Sequence, residues 1–396
     1  MDNHSENFTQ VASYDYVIAG AGCAGLSLLY YLLQSPVLST KKILVIDKTF
    51  KKGNDRTWCF WEQGAGIFEH LVCKQWNTIS IHAASTESFL PTHPFTYKMI
   101  QGQDFYAFVM GEAKQRSNIH LQEAAVTNIE TQGSKAFIKW EGGSAIAEKI
   151  FSSLLTVSQL QKISKHITEV PFLWQHFKGR LVEFENAIFE DTTAKLMDFN
   201  VDQKGATGFM YVLPLNARKA LIEYTLFSKD ICNENEYNVE LDAYIQKNYP
   251  SMQYVIQHTE LGAIPMTQQV MAKSKDPIYV IGTLGNAVKA SSGYAFAFIQ
   301  EQVAQIVSQL EKGNSINTEV HTTRHQFYDA VLLYILANDK MRGSEIFSRI
   351  FAKNKAATIF KFLSNTSSIW EDINIMRSLP TQIFLPAAIK VLLRRA

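Results

Sequence analysis

The sequence predicts an α/β fold in which an antiparallel sheet is inserted into a Rossmann-like unit and a helical region ends the chain. Three observations support this prediction. A strand–glycine turn–helix–strand pattern occupies residues 14–47, extended segments separated by turn residues fill residues 170–270, and helical patterns dominate after Glu319. Strands that alternate with helices are typical of parallel sheets, whereas closely spaced strands with short turns favour antiparallel ones.

The composition is that of an ordinary globular protein. Its 396 residues are 46% hydrophobic and 19% charged, and the formal net charge of +1 gives no reason to expect a nucleic-acid partner. The four cysteines lack the spacing of a metal site or a disulfide framework, so we expect free thiols in the cytoplasm and no metal. The first ten residues are polar and do not resemble a secretory signal.

A dinucleotide-binding fingerprint follows the first strand. Its six residues are Gly20, Ala21, Gly22, Cys23, Ala24 and Gly25, and an apolar helix and a second strand ending at Asp47 come next. Gly20 permits a tight turn, Gly22 lets the backbone approach a pyrophosphate, and Gly25 allows helix and strand to pack closely. The Asp47 carboxylate can accept hydrogen bonds from ribose hydroxyls. The fingerprint alone leaves FAD and NAD open.

A second strand–loop–helix pattern, late in the chain, favours FAD. A strand over residues 278–281 is followed by Gly282 and Thr283, by a loop rich in Gly, Ser and Ala, and by a long helix that starts at Tyr294. Backbone amides at such a helix start, here near Gly293, can lie beside flavin oxygens. Simple two-domain NAD dehydrogenases do not need this second unit.

The loop after the second strand carries an arginine and a group of aromatic residues, in the order KKGNDRTWCFW. Arg56 could bind a cofactor phosphate, since a planar guanidinium suits phosphate oxygens, or it could be a surface residue. Trp58, Phe60 and Trp61 could line the substrate site and stabilise a cation, or they could be core residues.

These patterns predict five consecutive regions. Residues 1–70 form the first part of the cofactor-binding unit, and residues 71–165 continue it with a helix and a small sheet. Residues 166–272 form the inserted antiparallel sheet, the expected floor of a substrate chamber. Residues 273–316 close the cofactor site, and residues 317–396 form the helical C-terminal region.

Several motifs resemble those of bacterial lycopene β-cyclases. Besides the fingerprint, they are NDRTWCFW at 54–61, QHFKG at 175–179, LMDF at 196–199, YVLPL at 211–215, LIEYT at 221–225, GAIPM at 262–266 and SSGYAF at 291–296. The resemblance runs from about residue 14 to the C-terminus, and the order of the motifs makes it more specific than any single one. It implies the FAD-binding fold of the glutathione-reductase type, in its hydroxylase-like form.

The resemblance implies an isomerase that closes the ψ-ends of lycopene, or of a related carotenoid, into β-ionone rings without net redox change. The products would be γ-carotene and then β-carotene. The family needs reduced FAD, and NAD(P)H is the expected source of electrons. Two alternatives stay open: a redox flavoenzyme, such as a monooxygenase or saturase of another isoprenoid, and a non-catalytic FAD- or carotenoid-binding protein.

The resemblance assigns the catalytic acid to Glu223. Cyclisation of this kind begins with protonation of a double bond, and Glu223 lies in LIEYT, a strand that is otherwise mostly apolar or aromatic. Burial in the chamber would raise its pKa and keep it protonated, although the strand pattern by itself favours a solvent-facing carboxylate. His176 could orient a carboxylate or hydrogen-bond within the sheet. Lys289 could balance the charge of reduced flavin or be a solvated loop residue.

Three positions in the second cofactor loop bear on the family comparison. Thr283 stands where many FAD proteins have Asp, and cyclases often share this Thr. Asn286 stands where Gly is usual, and Ala290 where Pro is usual. These changes alter loop geometry without removing a chemical group.

The final segment, residues 383–396, combines apolar residues with Lys390, Arg394 and Arg395. Such a segment can lie on an anionic membrane surface, while basic residues at a helix end also suit the helix dipole. We expect peripheral association with the inner face of the membrane, where a carotenoid would be dissolved, and no transmembrane span.

Overall fold

The computed structural model describes residues 11–84, 86–154, 171–269 and 272–395. The strands, in chain order, are β1 (Ala12–Ala19), β2 (Ile43–Asp47), β3 (Thr57–Glu62), β4 (Val72–Trp76), β5 (Thr78–Ala83), β6 (Thr86–Pro91), β7 (Thr96–Gln101), β8 (Ile119–Glu123), β9 (Val126–Gln132), β10 (Lys135–Trp140), β11 (Gly143–Ser152), β12 (Phe172–Phe184), β13 (Thr193–Asp198), β14 (Thr207–Pro214), β15 (Lys219–Ser228), β16 (Tyr254–Thr267) and β17 (Ile278–Val280). The helices are α1 (Cys23–Gln34), α2 (Gly102–Lys114), α3 (Glu234–Asn248), α4 (Phe296–Glu311), α5 (Thr323–Ala337), α6 (Gly343–Lys353), α7 (Ala356–Leu363), α8 (Ile369–Arg377) and α9 (Thr381–Arg395).

The first sheet has the strand order β8-β2-β1-β11-β10-β9, with β17 beside β11. β8, β2, β1, β11 and β17 run parallel, while β9 and β10 add an antiparallel edge. The C-terminal half of β1, from Tyr16 to Ala19, carries no charged residue, and Val17, Ile18 and Ala19 are fully buried. A strand buried on both faces needs helices on both sides or a second layer, which is why its run is continuously apolar.

The second sheet has the order β16-β12-β15-β14-β13-β5-β6 and is antiparallel except where β13 meets β5. The second sheet therefore also includes β5 and β6, which precede the predicted insertion at residues 166–272. Helix α3, which the sequence patterns did not reveal, covers one face of this sheet with Tyr237, Leu241, Tyr244 and Ile245. The C-terminal helices α5, α6 and α7 cover the other face within a shared apolar core.

A small antiparallel sheet, β3-β7-β4, lies between the two larger units. Successive side chains of a strand point to opposite faces, so neighbouring residues of β3 pack into two different hydrophobic cores. Phe60 belongs to the core under the cofactor-binding sheet, whereas Trp61 belongs to the core under the C-terminal helices. The predicted α/β architecture with an inserted antiparallel sheet and a helical C-terminus is confirmed.

Candidate active site

A cavity of about 430 Å³ joins the glycine turn to the second sheet. The turn contributes Gly22, Cys23 and Ala24, and the second cofactor loop contributes Gly282, Thr283, Gly293 and Tyr294. The opposite wall comes from Gln175 and Phe177 of β12, Tyr211 and Leu213 of β14, Leu221 and Glu223 of β15, and Glu260, Ala263, Ile264 and Pro265 of β16. One cavity therefore holds both the predicted cofactor segments and the predicted acid.

The glycine turn has the geometry that its sequence predicts. Gly20 has a φ of +105°, and a Cβ on Gly25 would lie 1.9 Å from the carbonyl oxygen of Gly20. Helix α1 begins directly after Gly22, with no side-chain cap and no acid in its first turn, so its N-terminal amides are available to an anion. A Cβ on Gly22 would meet open space. These features fit a dinucleotide pyrophosphate.

Asp47 lies at the end of β2 and fixes the same turn. Its Oδ2 accepts a hydrogen bond of 2.6 Å from the Ala21 amide, and its Oδ1 accepts one of 3.3 Å from the Thr49 amide. Binding of the ribose hydroxyls by Asp47 stays a prediction.

Cys23 is the first residue of α1. Burial raises the pKa of its thiol to about 12, so the thiol is neutral at physiological pH.

The second cofactor loop touches both the glycine turn and the second sheet. Gly282 has a φ of +68°, and a Cβ there would lie 2.7 Å from Cβ of Ala24. Gly293 has a φ of +71°, and its added Cβ would lie 1.9 Å from Oε1 of Gln175. Asn286 has a φ of +64°, a conformation that Asn tolerates better than most residues, so it can stand where Gly is usual.

The cavity contains a pair of carboxyl groups. Glu223 on β15 and Glu260 on β16 each stand opposite Gly179 of β12, the strand between them. Residues in register on neighbouring antiparallel strands point to the same face, so both carboxyl groups extend over the glycine. Thr225 donates a hydrogen bond of 2.8 Å from Oγ1 to Oε1 of Glu223.

Burial raises the pKa of both members of the pair, and the neighbouring carboxyl raises that of Glu223 further. The pKa of Glu223 lies well above its ordinary value, against smaller opposing effects of Thr225 and of the Arg56 charge. The pKa of Glu260 is raised to about 7, because its hydrogen bonds with Thr57 and the charge of Arg56 partly offset burial. Glu223 is therefore the member that keeps its proton.

Arg56 lies against β16. Its Nη1 donates a hydrogen bond of 2.8 Å to the carbonyl oxygen of Leu261, and a Cβ on Gly262 would come within 2.5 Å of that nitrogen. The guanidinium therefore supplies positive charge beside Glu260. Arg56 also lines the cavity. Its contact with a cofactor phosphate stays a prediction.

Aromatic residues form much of the remaining wall. Burial raises the pKa of Tyr294 to about 12 and the pKa values of Tyr97 and Tyr211 well above their ordinary values, so the three phenols are neutral. Trp58 also lines the cavity and packs edge-on against Phe105, with a centroid separation of 5.3 Å. Neutral aromatic rings can stabilise a cation through their faces.

The other two predicted aromatic residues lie outside the cavity lining. Phe60 stacks on Phe296 of α4 with ring centroids 4.5 Å apart. Trp61 stacks on Phe360 of α7 at 4.4 Å, and its Nε1 donates a hydrogen bond of 2.7 Å to Oγ of Ser364. Both residues therefore pack beneath the site and hold β3 in place.

Two further residues considered from the sequence also lie elsewhere. His176 points to the face opposite Gln175, where its ring nitrogens lie 2.5 Å from the Tyr237 hydroxyl and 2.6 Å from the Ser228 hydroxyl. Lys289 is fully buried and lies 2.8 Å from Oδ1 of Asp329, so it is neither a solvated loop residue nor a free charge facing the cavity.

A family model described as lycopene cyclase protein matches residues 15–388. The chain belongs to the lycopene cyclase family. The match includes the glycine turn, both glutamates and the second cofactor loop of this cyclase-family chain. Comparison with curated protein sequences gives no match.

Solved structures support the fold of the cyclase-family chain. A flavoprotein/dehydrogenase from Cytophaga hutchinsonii is 13% identical, with a TM-score of 0.59 over 97% of this chain and 100% of that one. A geranylgeranyl bacteriochlorophyll reductase-like protein from Thermoplasma acidophilum is 12% identical, with a TM-score of 0.59 over 97% and 99%. A halogenase in complex with phloroglucinol and FAD is 12% identical, with a TM-score of 0.53 over 88% and 79%. At these identities the likeness shows the flavoprotein fold alone.

Glu260 is the site residue that the sequence motifs did not reveal. It lies two residues before GAIPM, in a strand whose outer half is exposed, and nothing local distinguishes it from a surface acid. Its Oε2 is buried and has no hydrogen-bond partner among the described residues. The signal that identifies it is long-range: β12 pairs with both β15 and β16 in registers that meet at Gly179.

Proposed function

We propose that this protein is an FAD-dependent lycopene β-cyclase, an isomerase that converts the ψ-ends of lycopene or a related carotenoid into β-ionone rings. One observation carries the proposal. A carboxyl pair lies in the same cavity as the dinucleotide turn: Glu223 is half-buried and its pKa is raised well above its ordinary value, and Glu260 is buried. Family membership supplies the substrate class.

Several features of the cavity support FAD as the cofactor. The uncapped start of α1, the open space above Gly22 and the contact of Gly282 with Ala24 fit a pyrophosphate and the flavin half of a dinucleotide. The buried Oε1 of Gln175, which has no partner among the described residues, offers a polar contact beside Gly293. Reduced flavin, maintained by NAD(P)H, would supply an electron-rich surface next to a cationic substrate.

The residues of the chain account for a cyclisation without net redox change. The Glu223 carboxyl donates its proton to the terminal double bond of the polyene, which leaves a tertiary carbocation. The ring closes when the next trisubstituted double bond attacks this centre, and the positive charge moves into the new ring. Loss of a ring proton to the Glu223 carboxylate forms the β-end double bond and restores the starting protonation state.

The walls of the cavity protect this cation from water. Leu213, Leu221, Ile264 and Pro265 present apolar surface, while Trp58 and Tyr294 present aromatic faces. A carbocation in such surroundings loses a proton more readily than it captures water. Because no oxidant enters the sequence of steps, the product is an isomer of the substrate.

Access from a membrane agrees with the surface of α9. Ala387 and Val391 of this helix are buried, whereas Leu385, Ile389, Leu392 and Leu393 are exposed and follow the i, i+4, i+7, i+8 spacing of a second apolar face. No helix among the described residues combines the length and hydrophobicity needed to cross a bilayer. We propose that α9 rests on the inner face of the membrane, which delivers the polyene to the cavity.

Expression of the chain in bacteria that accumulate lycopene tests the activity. The cells should change from red to orange-yellow, and chromatography should show γ-carotene and β-carotene. The variant Glu223→Gln should leave lycopene unconverted, while Glu185→Gln, at an exposed position just beyond β12, should behave as the wild type. Retained lycopene with the wild-type chain would exclude cyclisation, and products that gain oxygen or lose hydrogen would identify a redox flavoenzyme.

A further inference from the structure

Two strands bring their carboxyl groups together over a single glycine. Glu223 and Glu260 both pair with Gly179, and a Cβ at Gly179 would lie 3.1 Å from Cγ and 3.2 Å from Oε1 of Glu260. Any side chain at this position would therefore press on Glu260, which hydrogen-bonds with Glu223, and on Leu221. The absence of a side chain at residue 179 is what lets carboxyl groups from non-adjacent strands share one space.

The surroundings of the two carboxyl groups differ in charge. Glu260 is only 3% exposed and lies beside Arg56 and Thr57, whose charge and hydrogen bonds favour a carboxylate. Glu223 accepts a hydrogen bond from Thr225, and its pKa is raised well above its ordinary value. The arrangement therefore places the negative charge on Glu260 and the proton on Glu223.

The other ionisable groups of the cavity do not change this assignment. Burial raises the pKa of the Cys59 thiol and of the phenols of Tyr97, Tyr211 and Tyr294, so all four are neutral. Lys51 lines the outer part of the cavity, where it pairs with Asp55 at 2.5 Å and lies 3.5 Å from the Tyr106 hydroxyl. Among the described lining residues, Arg56 is the cation that acts on the pair.

We propose that Glu260 is a positioning residue whose carboxylate keeps Glu223 protonated, and that Gly179 is the spacer that brings the two groups together. The proposal rests on the proposed function, in which Glu223 is the acid that touches the substrate. Two neighbouring carboxylates that share one cavity cannot both ionise readily, so ionised Glu260 holds the proton on Glu223 until it is delivered. The same carboxylate favours return of a proton to Glu223 after the ring closes.

Infrared spectroscopy of the purified, FAD-loaded protein with ¹³C-labelled glutamate tests this proposal without substrate. The carboxylic C=O band that disappears in Glu223→Gln belongs to Glu223, and its loss with rising pH gives the midpoint of Glu223 ionisation. The variant Glu260→Gln removes the neighbouring charge at constant volume and should lower this midpoint by about one pH unit or more. An unchanged or higher midpoint would overturn the role of Glu260.

The variant Gly179→Ala tests the spacer separately. Its Cβ should push Glu260 away and move the Glu223 midpoint in the same direction as Glu260→Gln, while an unchanged midpoint would overturn the spacer role. Glu185→Gln serves as the control and should leave the midpoint unchanged. Circular dichroism and bound flavin establish that each variant is folded.

The alkaline limb of the cyclisation rate provides the second readout. It should move to lower pH in Glu260→Gln together with the infrared midpoint, whereas a merely structural defect would lower the rate at every pH. If the infrared midpoint shifts but neither the wild type nor any variant cyclises lycopene, the effect of Glu260 on Glu223 is supported and the proposed function is wrong. If cyclisation occurs but the midpoint does not shift, the proposed function stands and the role of Glu260 fails.

Discussion

Lys289 and Asp329 form a buried ion pair that ties the second cofactor loop to helix α5. The Lys289 Nζ lies 2.8 Å from Asp329 Oδ1 and donates a hydrogen bond of 2.7 Å to Oδ1 of Asn365. Ser291 of the same loop donates a hydrogen bond of 2.6 Å to Asp329. The loop that carries Gly293 is therefore held by the C-terminal helical region, although its sequence alone identifies it as part of the cofactor unit.

Removing one partner of this pair should destabilise the protein strongly. Lys289→Met leaves Asp329 buried without its counter-charge and should lower the free energy of unfolding by about 3–5 kcal/mol, as measured by urea denaturation. The double variant Lys289→Met/Asp329→Leu should recover most of this loss. Lys149→Met, which breaks an exposed pair with Asp276, is the control and should cost less than about 1 kcal/mol. Equal losses for the two single variants would contradict the importance of burial.

The carboxyl pair should make stability depend on pH. Folding raises the pKa of Glu260 from 4.5 to about 7. Between these pH values the folded protein therefore still binds a proton that the unfolded chain has released. The free energy of unfolding should therefore fall as pH rises from about 4.5 through 7, by roughly 3 kcal/mol for Glu260 alone. Glu223 should extend this fall to higher pH. The double variant Glu223→Gln/Glu260→Gln should lack the fall, and identical pH profiles for variant and wild type would show that the pair titrates normally.

Contact between the two cofactor loops should control flavin affinity. Gly282→Ala forces a φ of +68° on Ala and places a Cβ 2.7 Å from that of Ala24, so the loops must move apart. We expect FAD affinity, measured by fluorescence titration, to fall at least about tenfold, which corresponds to about 1.4 kcal/mol. Gly111→Ala in α2, where an added Cβ meets no atom within 4 Å, should leave affinity unchanged. Equal affinity in both variants would argue against a cofactor at this contact.

The exposed face of α9 should bind anionic vesicles. Substitution of Leu385, Leu392 and Leu393 by Ser keeps the buried residues of the helix and should weaken vesicle binding in sedimentation assays by about tenfold or more, because apolar area is lost. A control variant with Ser at Val37, Val239 and Val255, which are also exposed, should bind as the wild type does. Equal binding by both variants would place the membrane contact elsewhere.

The sequence predicted those parts of the molecule that depend on local pattern. The glycine turn, the second cofactor loop and the strand of Glu223 each carry their signal within a few residues. Helix α3 escaped prediction because its apolar residues are widely spaced among charged ones. Glu260 and the Lys289–Asp329 pair escaped it for another reason: both depend on partners distant in the chain, which only strand register and helix packing bring together.

Cyclisation of lycopene in deuterated water, with purified protein and reduced FAD, tests the central claim most directly. If exchangeable Glu223 protonates the polyene and a different hydrogen leaves the ring, each β-ring should contain one solvent deuteron, and mass spectrometry should show an increase of one mass unit per ring. Glu223→Gln should form no labelled ring. Cyclised product without deuterium, or undiminished turnover by Glu223→Gln, would contradict proton-initiated cyclisation by this residue.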